Sequence, residues 1–259
     1  MKAISLEGLN LCYEIAEGPL TPIFFVHGWG CDHTYFTPQF EYFGGRGHTV
    51  VSVDLRGHGE SSKPRQEYSI DIFAEDIASI AAELNLQRPV LVGHSMGGVI
   101  TFEVAARHPE LPSAIVMIDS PVTRPAASRA AMPAFLQELE GPNYRAALSK
   151  YVSEALFLPT DDEERKAHIL ARMTKTEQHV LVSAFRGMQK FNLERTSDRI
   201  ICPSLYIAAD DRPLTDLPQL FDHAPNLLFG QTVGSGHFCQ LEVPEQINAM
   251  ISRFISIQV

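Results

Sequence analysis

Short apolar runs alternate with longer amphipathic stretches along most of the chain. The apolar runs contain many β-branched residues, and several are apolar on both faces, which is typical of buried parallel strands. The predicted strands are residues 11–15, 23–26, 49–53, 90–92, 114–118, 204–208 and 227–233, and the predicted helices are residues 68–86, 99–108, 214–222 and 244–254. This alternation predicts βαβ units, a mostly parallel sheet and an α/β fold.

One segment has no strand-like run. Residues 121–195 contain only helix-like pieces, and Thr160 followed by Glu163 has the spacing of a capping box at one helix start. At about 75 residues, the segment is much longer than an ordinary crossover connection. We therefore predict a core domain made of residues 1–120 and 196–259, with residues 121–195 inserted as a helical cap. A second set of crossover helices is the alternative.

The chain has 259 residues and a formal net charge of −10. An acidic surface argues against nucleic acid or a membrane as the main partner, so we expect a small-molecule substrate and a monomer or homodimer.

No apolar run has the length of a signal-peptide core or of a membrane span, so neither is expected. The four cysteines form no CxxC pair, which indicates free thiols and a cytoplasmic location. The ten histidines show neither HxxxH nor HxH spacing, so no metal site is expected.

The stretch GHSMG, at residues 93–97, raises the main functional question. It places Ser95 between two glycines, directly after an apolar run and before a helix-like stretch. A serine hydroxyl is a weak nucleophile unless a base lies within hydrogen-bond reach, and it must also be exposed. A sharp strand-to-helix turn exposes it, and such a turn tolerates only small neighbours, here Gly93 and Gly97. The context favours a nucleophile, with a plain tight turn as the alternative.

A nucleophilic serine needs a base and a group that orients the base. His237 lies in a glycine-flanked loop after the last predicted strand, where its imidazole can reach Ser95. His94 is next to Ser95 but points the other way, and we interpret it as structural. The orienting carboxylate should follow another strand. The residues that meet this condition are Asp119, Asp210, Asp211 and Asp216.

The HGWG stretch at residues 27–30 follows a predicted strand and offers backbone donors. The N–H of Trp29 and the N–H of Met96, the residue after Ser95, form the natural pair for binding a reacting carbonyl oxygen. The Trp29 indole itself is expected to pack or to line the mouth of the pocket.

A third loop, DLRGHGESS, also follows a predicted strand. We interpret Asp54 as bracing a tight turn through a contact with Arg56, and the glycines as supplying the turn conformations. A catalytic role for Asp54 is the alternative.

Four motifs together resemble the α/β-hydrolase superfamily: HGWG at 27–30, DLRGHGESS at 54–62, GHSMGG at 93–98 and GHFCQLEVPEQI at 236–247. They occur in the order of that family and span essentially the whole chain outside residues 121–195. The resemblance implies an α/β-hydrolase fold, with an eight-stranded, mostly parallel sheet, helices on both faces and an inserted helical cap. It implies Ser95 as nucleophile and His237 as base, with no metal or organic cofactor. Related dehalogenases and epoxide hydrolases have an aspartate nucleophile, so Ser95 argues against both activities.

The acid is the point at which the sequence departs from this family. Members often carry Gly-x-x-Asp after the seventh strand, whereas this chain reads AADDRP, without that glycine. The resemblance favours Asp211 as the acid, followed by Asp210. Asp119 lies after the sixth strand, at the position that a subset of the family uses.

The resemblance predicts a carboxylesterase-like serine hydrolase (EC 3.1.1) that acts on a small-to-medium, hydrophobic ester, lactone or amide. Candidate pocket residues are Phe135, Leu139, Phe157, Phe185 and Met188 in the predicted cap, and Phe238 beside His237. Alternatives with the same triad are hydrolysis of C–C bonds in ring-fission products and a cofactor-free perhydrolase or haloperoxidase. A slow-turnover ligand receptor is the non-enzyme alternative.

Overall fold

Eight strands form one sheet at the centre of the protein. The computed structural model describes residues 1–195, 200–209, 214–224 and 226–259. The strands are β1 (Lys2–Leu6), β2 (Leu9–Ala16), β3 (Leu20–Val26), β4 (His48–Val53), β5 (Val90–His94), β6 (Ala114–Ile118), β7 (Ser204–Ala208) and β8 (Leu228–Gln231). Their order across the sheet is β1-β2-β4-β3-β5-β6-β7-β8. Strands β3 to β8 run parallel and only β1 and β2 pair antiparallel, which confirms the predicted mostly parallel sheet.

Helices cover both faces of this sheet. They are α1 (Thr37–Gly44), α2 (Ile70–Glu83), α3 (Met96–Arg107), α4 (Ala126–Glu140), α5 (Tyr144–Ala155), α6 (Glu163–Met173), α7 (Gln178–Lys190), α8 (Leu217–His223), α9 (Cys239–Glu242) and α10 (Pro244–Gln258). Alternate strand residues point to opposite faces. Phe24 and Val26 therefore share a core cluster with α2 and α3, whereas Ile23 and Phe25 share one with α1 and α10. None of the helices described here is both long and apolar enough to cross a membrane.

Three elements are absent from the sequence-based prediction. Strand β1 is a five-residue edge strand in which no residue is buried, so it lacks the apolar run by which the other strands were found. Helix α1 has only two buried residues, Gln39 and Phe43, and α9 is only four residues long. Short elements with little buried surface leave little pattern in a sequence.

Helices α6 and α8 both begin later than the sequence predicts. The expected capping box at Thr160 is wrong, because Asp162 is the N-cap of α6 and its carboxylate accepts the Arg165 N–H over 2.8 Å. Likewise α8 begins only at Leu217, after the N-cap Asp216. In both cases an aspartate side chain satisfies a backbone N–H of the first turn, and this selects the start.

Helices α4 to α7 lie between β6 and β7, and we call residues 126–190 the four-helix segment. Helix α7 packs closely on the core: a Cβ at Gly187 would lie 2.3 Å from the Tyr68 carbonyl oxygen. The Trp29 indole Nε1 donates to the Leu181 carbonyl oxygen over 2.9 Å. These contacts attach the segment to the core at the carboxyl ends of the strands.

Helix α3 starts in direct contact with the sheet. A Cβ at Gly97 would lie only 2.0 Å from the Val26 carbonyl oxygen at the end of β3. A Cβ at Gly93 would lie 2.2 Å from the Gly97 backbone. Side chains at these positions would push α3 away from β3 and β5, so the two glycines set the distance between helix and sheet.

Replacement of Gly97 by Ala should therefore destabilise the protein, although Ala normally favours a helix over Gly. We expect a loss of about 3 kcal/mol in the free energy of unfolding, because the clash is with backbone that cannot move aside. Urea unfolding followed by circular dichroism measures it. Gly8→Ala is the control: Gly8 has φ 82° and open space around it, so only its backbone strain of about 1 kcal/mol should be seen. Equal losses in the two variants would contradict the proposed contact.

Candidate active site

Neighbouring parallel strands end at one edge of the sheet. Strand β3 ends opposite Gly93 of β5, and His94 lies opposite Ile118 of β6. The segments that follow β3, β5 and β6 therefore lie side by side. They contain the HGWG loop, Ser95 and Asp119, which are far apart in the sequence.

Ser95 lies in a sharp turn between β5 and α3. Its φ is 55° and its ψ is −121°, a conformation that costs a non-glycine residue about 1–3 kcal/mol. Its N–H donates to the Ile118 carbonyl oxygen over 2.9 Å, which holds the turn against β6. Every residue from 89 to 106 is buried except Ser95, which is partly exposed. The turn thus brings one hydroxyl out of an otherwise buried strand and helix.

His237 and Asp119 form a buried hydrogen-bonded pair. His237 Nδ1 lies 2.7 Å from Asp119 Oδ2. Asp119 has φ 39°, and its N–H donates to the Ile207 carbonyl oxygen over 2.7 Å. The His237 backbone is held from two sides. Its N–H donates to the Leu156 carbonyl oxygen over 3.2 Å. Its carbonyl oxygen accepts a hydrogen bond from His94 Nε2 over 2.8 Å. A carboxylate only accepts, so the proton lies on Nδ1 and the lone pair of Nε2 stays available.

Three other carboxylates were considered from the sequence. Asp210 and Asp211 lie outside the described residues. Asp216 caps α8, where its Oδ1 accepts the Gln219 N–H over 3.1 Å. Among the residues that the structure describes, Asp119 is the carboxylate bonded to the His237 ring.

His27 holds the HGWG loop beside Ser95. Its Nε2 accepts the Leu55 N–H over 3.0 Å, so its proton lies on Nδ1, which donates to the Gly28 carbonyl oxygen over 2.7 Å. Burial lowers the pKa of His27, in agreement with a neutral ring. A Cβ at Gly28 would lie 3.1 Å from Ser95 Cβ. The loop backbone therefore passes directly beside the serine.

A cavity of about 30 Å³ lies over Ser95, between the core and the four-helix segment. Several predicted site residues line it: Trp29, Ser95, Phe185, Met188, His237 and Phe238. Phe157 lines an adjacent cavity that reaches Asp119. Phe135 packs behind Trp29, with ring centroids 6.1 Å apart, and Leu139 is fully buried in the core.

Sequence reasoning missed two polar residues in this cavity, Arg124 and Tyr151. Arg124 follows β6, and Tyr151 lies on α5. Neither belongs to a motif or to a recognisable spacing. The one sequence signal for Arg124 is that a basic residue lies a few positions after the end of a strand. Many surface residues have the same position relative to a strand.

Asp54 braces its loop, but with partners other than the expected one. The Asp54–Arg56 contact predicted from the sequence is wrong, because Arg56 forms its ion pair with Asp76. Asp54 Oδ1 instead accepts from the His33 N–H and lies 2.8 Å from His33 Nδ1, while Oδ2 accepts the Glu60 N–H over 2.8 Å. Burial alone would raise the pKa of Asp54, yet these bonds, led by the one from His33, lower it.

Among the residues that the structure describes, one group of side chains could hold a metal ion. The ligand atoms of Asp32, His33 and Asp54 lie within 4.8 Å of one another. Asp32 already accepts two hydrogen bonds from the Arg172 guanidinium, at 2.8 and 2.6 Å. A bound cation would have to compete with this guanidinium and with the His33–Asp54 bond.

Comparisons with known proteins bear on the family and the fold. A family model described as the alpha/beta hydrolase family matches residues 23–250. The (E)-2-((N-methylformamido)methylene)succinate hydrolase of Acinetobacter baylyi is 24% identical over 271 residues, which cover 98% of this chain and 97% of that protein. An esterase structure from Exiguobacterium antarcticum aligns with a TM-score of 0.88 at 19% identity and covers 98% of both chains, which confirms the predicted fold.

Some relatives have higher identity over shorter stretches. The AB hydrolase superfamily protein YisY of Bacillus subtilis is 40% identical over 87 residues, which are 34% of this chain and 32% of that protein. The match thus spans about a third of the length of the first curated relatives. Such a match supports the fold and the motifs rather than an activity.

A buried carboxyl lies beside the His237 loop. Glu242 Oε2 accepts the Gly236 N–H over 2.7 Å, next to His237. Burial, together with the nearby Asp161 of the four-helix segment, raises the pKa of Glu242 to about 7, against the lowering effect of the Gly236 N–H and of Arg165. The folded protein therefore keeps a proton on Glu242 that the unfolded chain releases near its ordinary pKa of about 4.3.

The sign of the resulting pH dependence follows from this raised pKa. Between about pH 4.5 and pH 7 the folded state binds more protons at Glu242, so this residue makes the free energy of unfolding fall as the pH rises. Glu242→Gln should remove that slope and raise the melting temperature at pH 8. Thermal unfolding at pH 5.5 and pH 8 measures both effects. Glu245→Gln, at an exposed position in α10, is the control, and an unchanged slope in Glu242→Gln would contradict the assignment.

Proposed function

Because this chain belongs to the alpha/beta hydrolase family, we propose that it is a serine hydrolase that cleaves an ester, lactone or amide through an acyl-enzyme on Ser95. One observation carries the proposal. Ser95, the only residue between 89 and 106 that is not buried, lines the same cavity as His237, whose Nδ1 is held by Asp119 at 2.7 Å. A nucleophile, a base and an orienting carboxylate are the three groups that acyl transfer requires.

The proposed reaction begins with attack by Ser95 Oγ on the substrate carbonyl carbon. His237 Nε2 takes the serine proton and then gives it to the leaving alcohol or amine. Asp119 keeps the proton of the neutral ring on Nδ1 and stabilises the imidazolium that forms. Water activated by His237 then hydrolyses the acyl-enzyme, and Ser95 recovers its proton.

Two backbone N–H groups are proposed to bind the oxyanion. Met96 is the first residue of α3, where helix N–H groups have no partner within the helix. Trp29 follows Gly28, whose backbone passes beside Ser95. Within the described chain neither N–H donates to a backbone oxygen. Each such donor is worth about 3–4 kcal/mol of transition-state stabilisation.

We propose Asp119 as the acid in place of Asp211, which the sequence ranks first. The support is the direct hydrogen bond to His237 and the strained backbone that holds Asp119 at the end of β6. A residue in a sparsely populated conformation is held there by its surroundings, as is common at active sites.

Residues 121–195 are proposed to act as a cap that shapes the substrate cavity. Support comes from the cavity walls, which include Phe185 and Met188 of α7 opposite Ser95. Similarity to an Acinetobacter hydrolase and an Exiguobacterium esterase supports hydrolysis of an amide or ester bond. We therefore place the chain among carboxylesterase-like enzymes.

Substitutions at Ser95 and at the two candidate acids test the proposal. Ser95→Ala should reduce kcat for 4-nitrophenyl butyrate by on the order of 10⁵-fold or more, because no nucleophile remains. Asp119→Asn should reduce kcat by roughly 10⁴-fold, because His237 then adopts the wrong tautomer. Asp211→Asn should have a small effect. Release of 4-nitrophenolate gives all three rates.

Each alternative has its own outcome in this experiment. Activity retained in Ser95→Ala would rule out the acyl-enzyme. A large loss in Asp211→Asn with little loss in Asp119→Asn would make Asp211 the acid. Asp216→Asn, which alters only the cap of α8, is the matched control for a general effect of losing one carboxylate.

A further inference from the structure

Arg124 has no charged partner in the described part of the chain. Its side chain lines the cavity over Ser95, and its guanidinium Nη2 lies 3.8 Å from the sulfur of Met188, which is a weak acceptor. Burial lowers the pKa of Arg124, and no carboxylate offsets this effect. An arginine nevertheless stays protonated in proteins, so a positive charge faces the cavity.

Two other partly buried arginines form ion pairs. Arg56 forms an ion pair with Asp76, and Arg172 forms one with Asp32. Carboxylates are not scarce, since the chain has 31 acidic residues and 21 Lys and Arg. An unpaired charge away from water is destabilising. A fold that leaves Arg124 unpaired therefore leaves it available to a ligand.

A second cavity, of about 400 Å³, adjoins the one over Ser95. Pro121, Arg124 and Met188 line both cavities, so Arg124 lies at their boundary. The larger cavity also contains Arg129, whose Nη1 donates to the Arg124 carbonyl oxygen over 2.7 Å and so holds the Arg124 backbone. No acidic residue is among its described lining residues. In a chain of net charge −10, this wall is locally positive.

We propose that the substrate carries a carboxylate that binds Arg124 while its reacting carbonyl lies at Ser95. This inference rests on the proposed hydrolase function and names its substrate class, a monoester, lactone or amide of an acid with a second, ionised carboxyl group. It departs from the purely hydrophobic substrate that the sequence predicts. The planar guanidinium matches a carboxylate through two parallel hydrogen bonds.

A carboxylate fits this position better than a phosphate does. One guanidinium neutralises a single negative charge, and Arg124 is the only Lys or Arg among the described residues that line the cavity over Ser95. Arg129 is exposed, with one of its N–H groups already bonded to backbone. A dianionic phosphate would therefore remain incompletely neutralised.

Pairs of substrates that differ only in charge test the proposal. Monoethyl succinate, glutarate and adipate each have a neutral counterpart of nearly the same shape, in which an amide replaces the free carboxylate. For at least one chain length, the wild-type kcat/KM for the acid should exceed that for the amide. Arg124→Met should lower this acid-to-amide ratio by about 10- to 100-fold, the usual range for a charge-assisted hydrogen bond. Ethanol release gives the rates.

Further variants separate charge from geometry and from folding. Arg124→Lys keeps the charge without the planar fork, so its ratio should lie between those of wild type and Arg124→Met. If thermal unfolding shows that Arg124→Met does not fold, Arg124→Gln replaces it in these measurements. Arg253→Met, at an exposed position of α10, is the control and should leave the ratio unchanged. An equal ratio in wild type and Arg124→Met, or an equal fall in Arg253→Met, would overturn the proposal.

Binding without turnover separates this inference from the hydrolase proposal. The Ser95→Ala variant should bind glutarate or adipate in isothermal titration calorimetry, and adding Arg124→Met should weaken that binding at least tenfold. Such binding, with no hydrolysis of any ester by wild type, would support the anion site and overturn the hydrolase function. Hydrolysis of acids and amides at equal rates, with no dicarboxylate binding, would overturn the anion site alone.

Discussion

The close approach of α3 to the ends of β3 and β5 is the constraint on which the site depends. Because Gly97 meets the Val26 carbonyl oxygen without a Cβ, the first turn of α3 can begin directly at the sheet. The chain then has room to turn within a single residue, and Ser95 absorbs the strain of that turn. A helix that started further away would let the turn relax and would bury or displace the hydroxyl.

The His237 loop depends on a different contact, one between the core and the four-helix segment. The Leu156 carbonyl oxygen holds the His237 N–H from one side, and His94 holds the His237 carbonyl oxygen from the other. The segment therefore covers the cavity and also fixes the backbone of the candidate base. This arrangement links the position of the four-helix segment to the geometry of the candidate triad.

Local charge in the cavity differs from the charge of the whole chain. The protein has a net charge of −10, yet an arginine without a carboxylate partner among the described residues faces the candidate nucleophile. His27 and His94 contribute little positive charge nearby, because burial lowers the pKa of both. Net charge thus describes the outer surface. The charge of the substrate that can bind depends on the few side chains that line the cavity.

The sheet apart from β1, most of the helices and the candidate nucleophile and base could be predicted from the sequence. Strand periodicity, glycine spacing and strand-to-helix context are local, so they are readable along the chain. The carboxylate bonded to His237, the partner of Arg56 and the cavity position of Arg124 depend on tertiary structure alone. Asp119 lies 118 residues before His237, and several aspartates follow strands equally well. The folded register of β6 against β5 and β7 brings Asp119 within 2.7 Å of the imidazole.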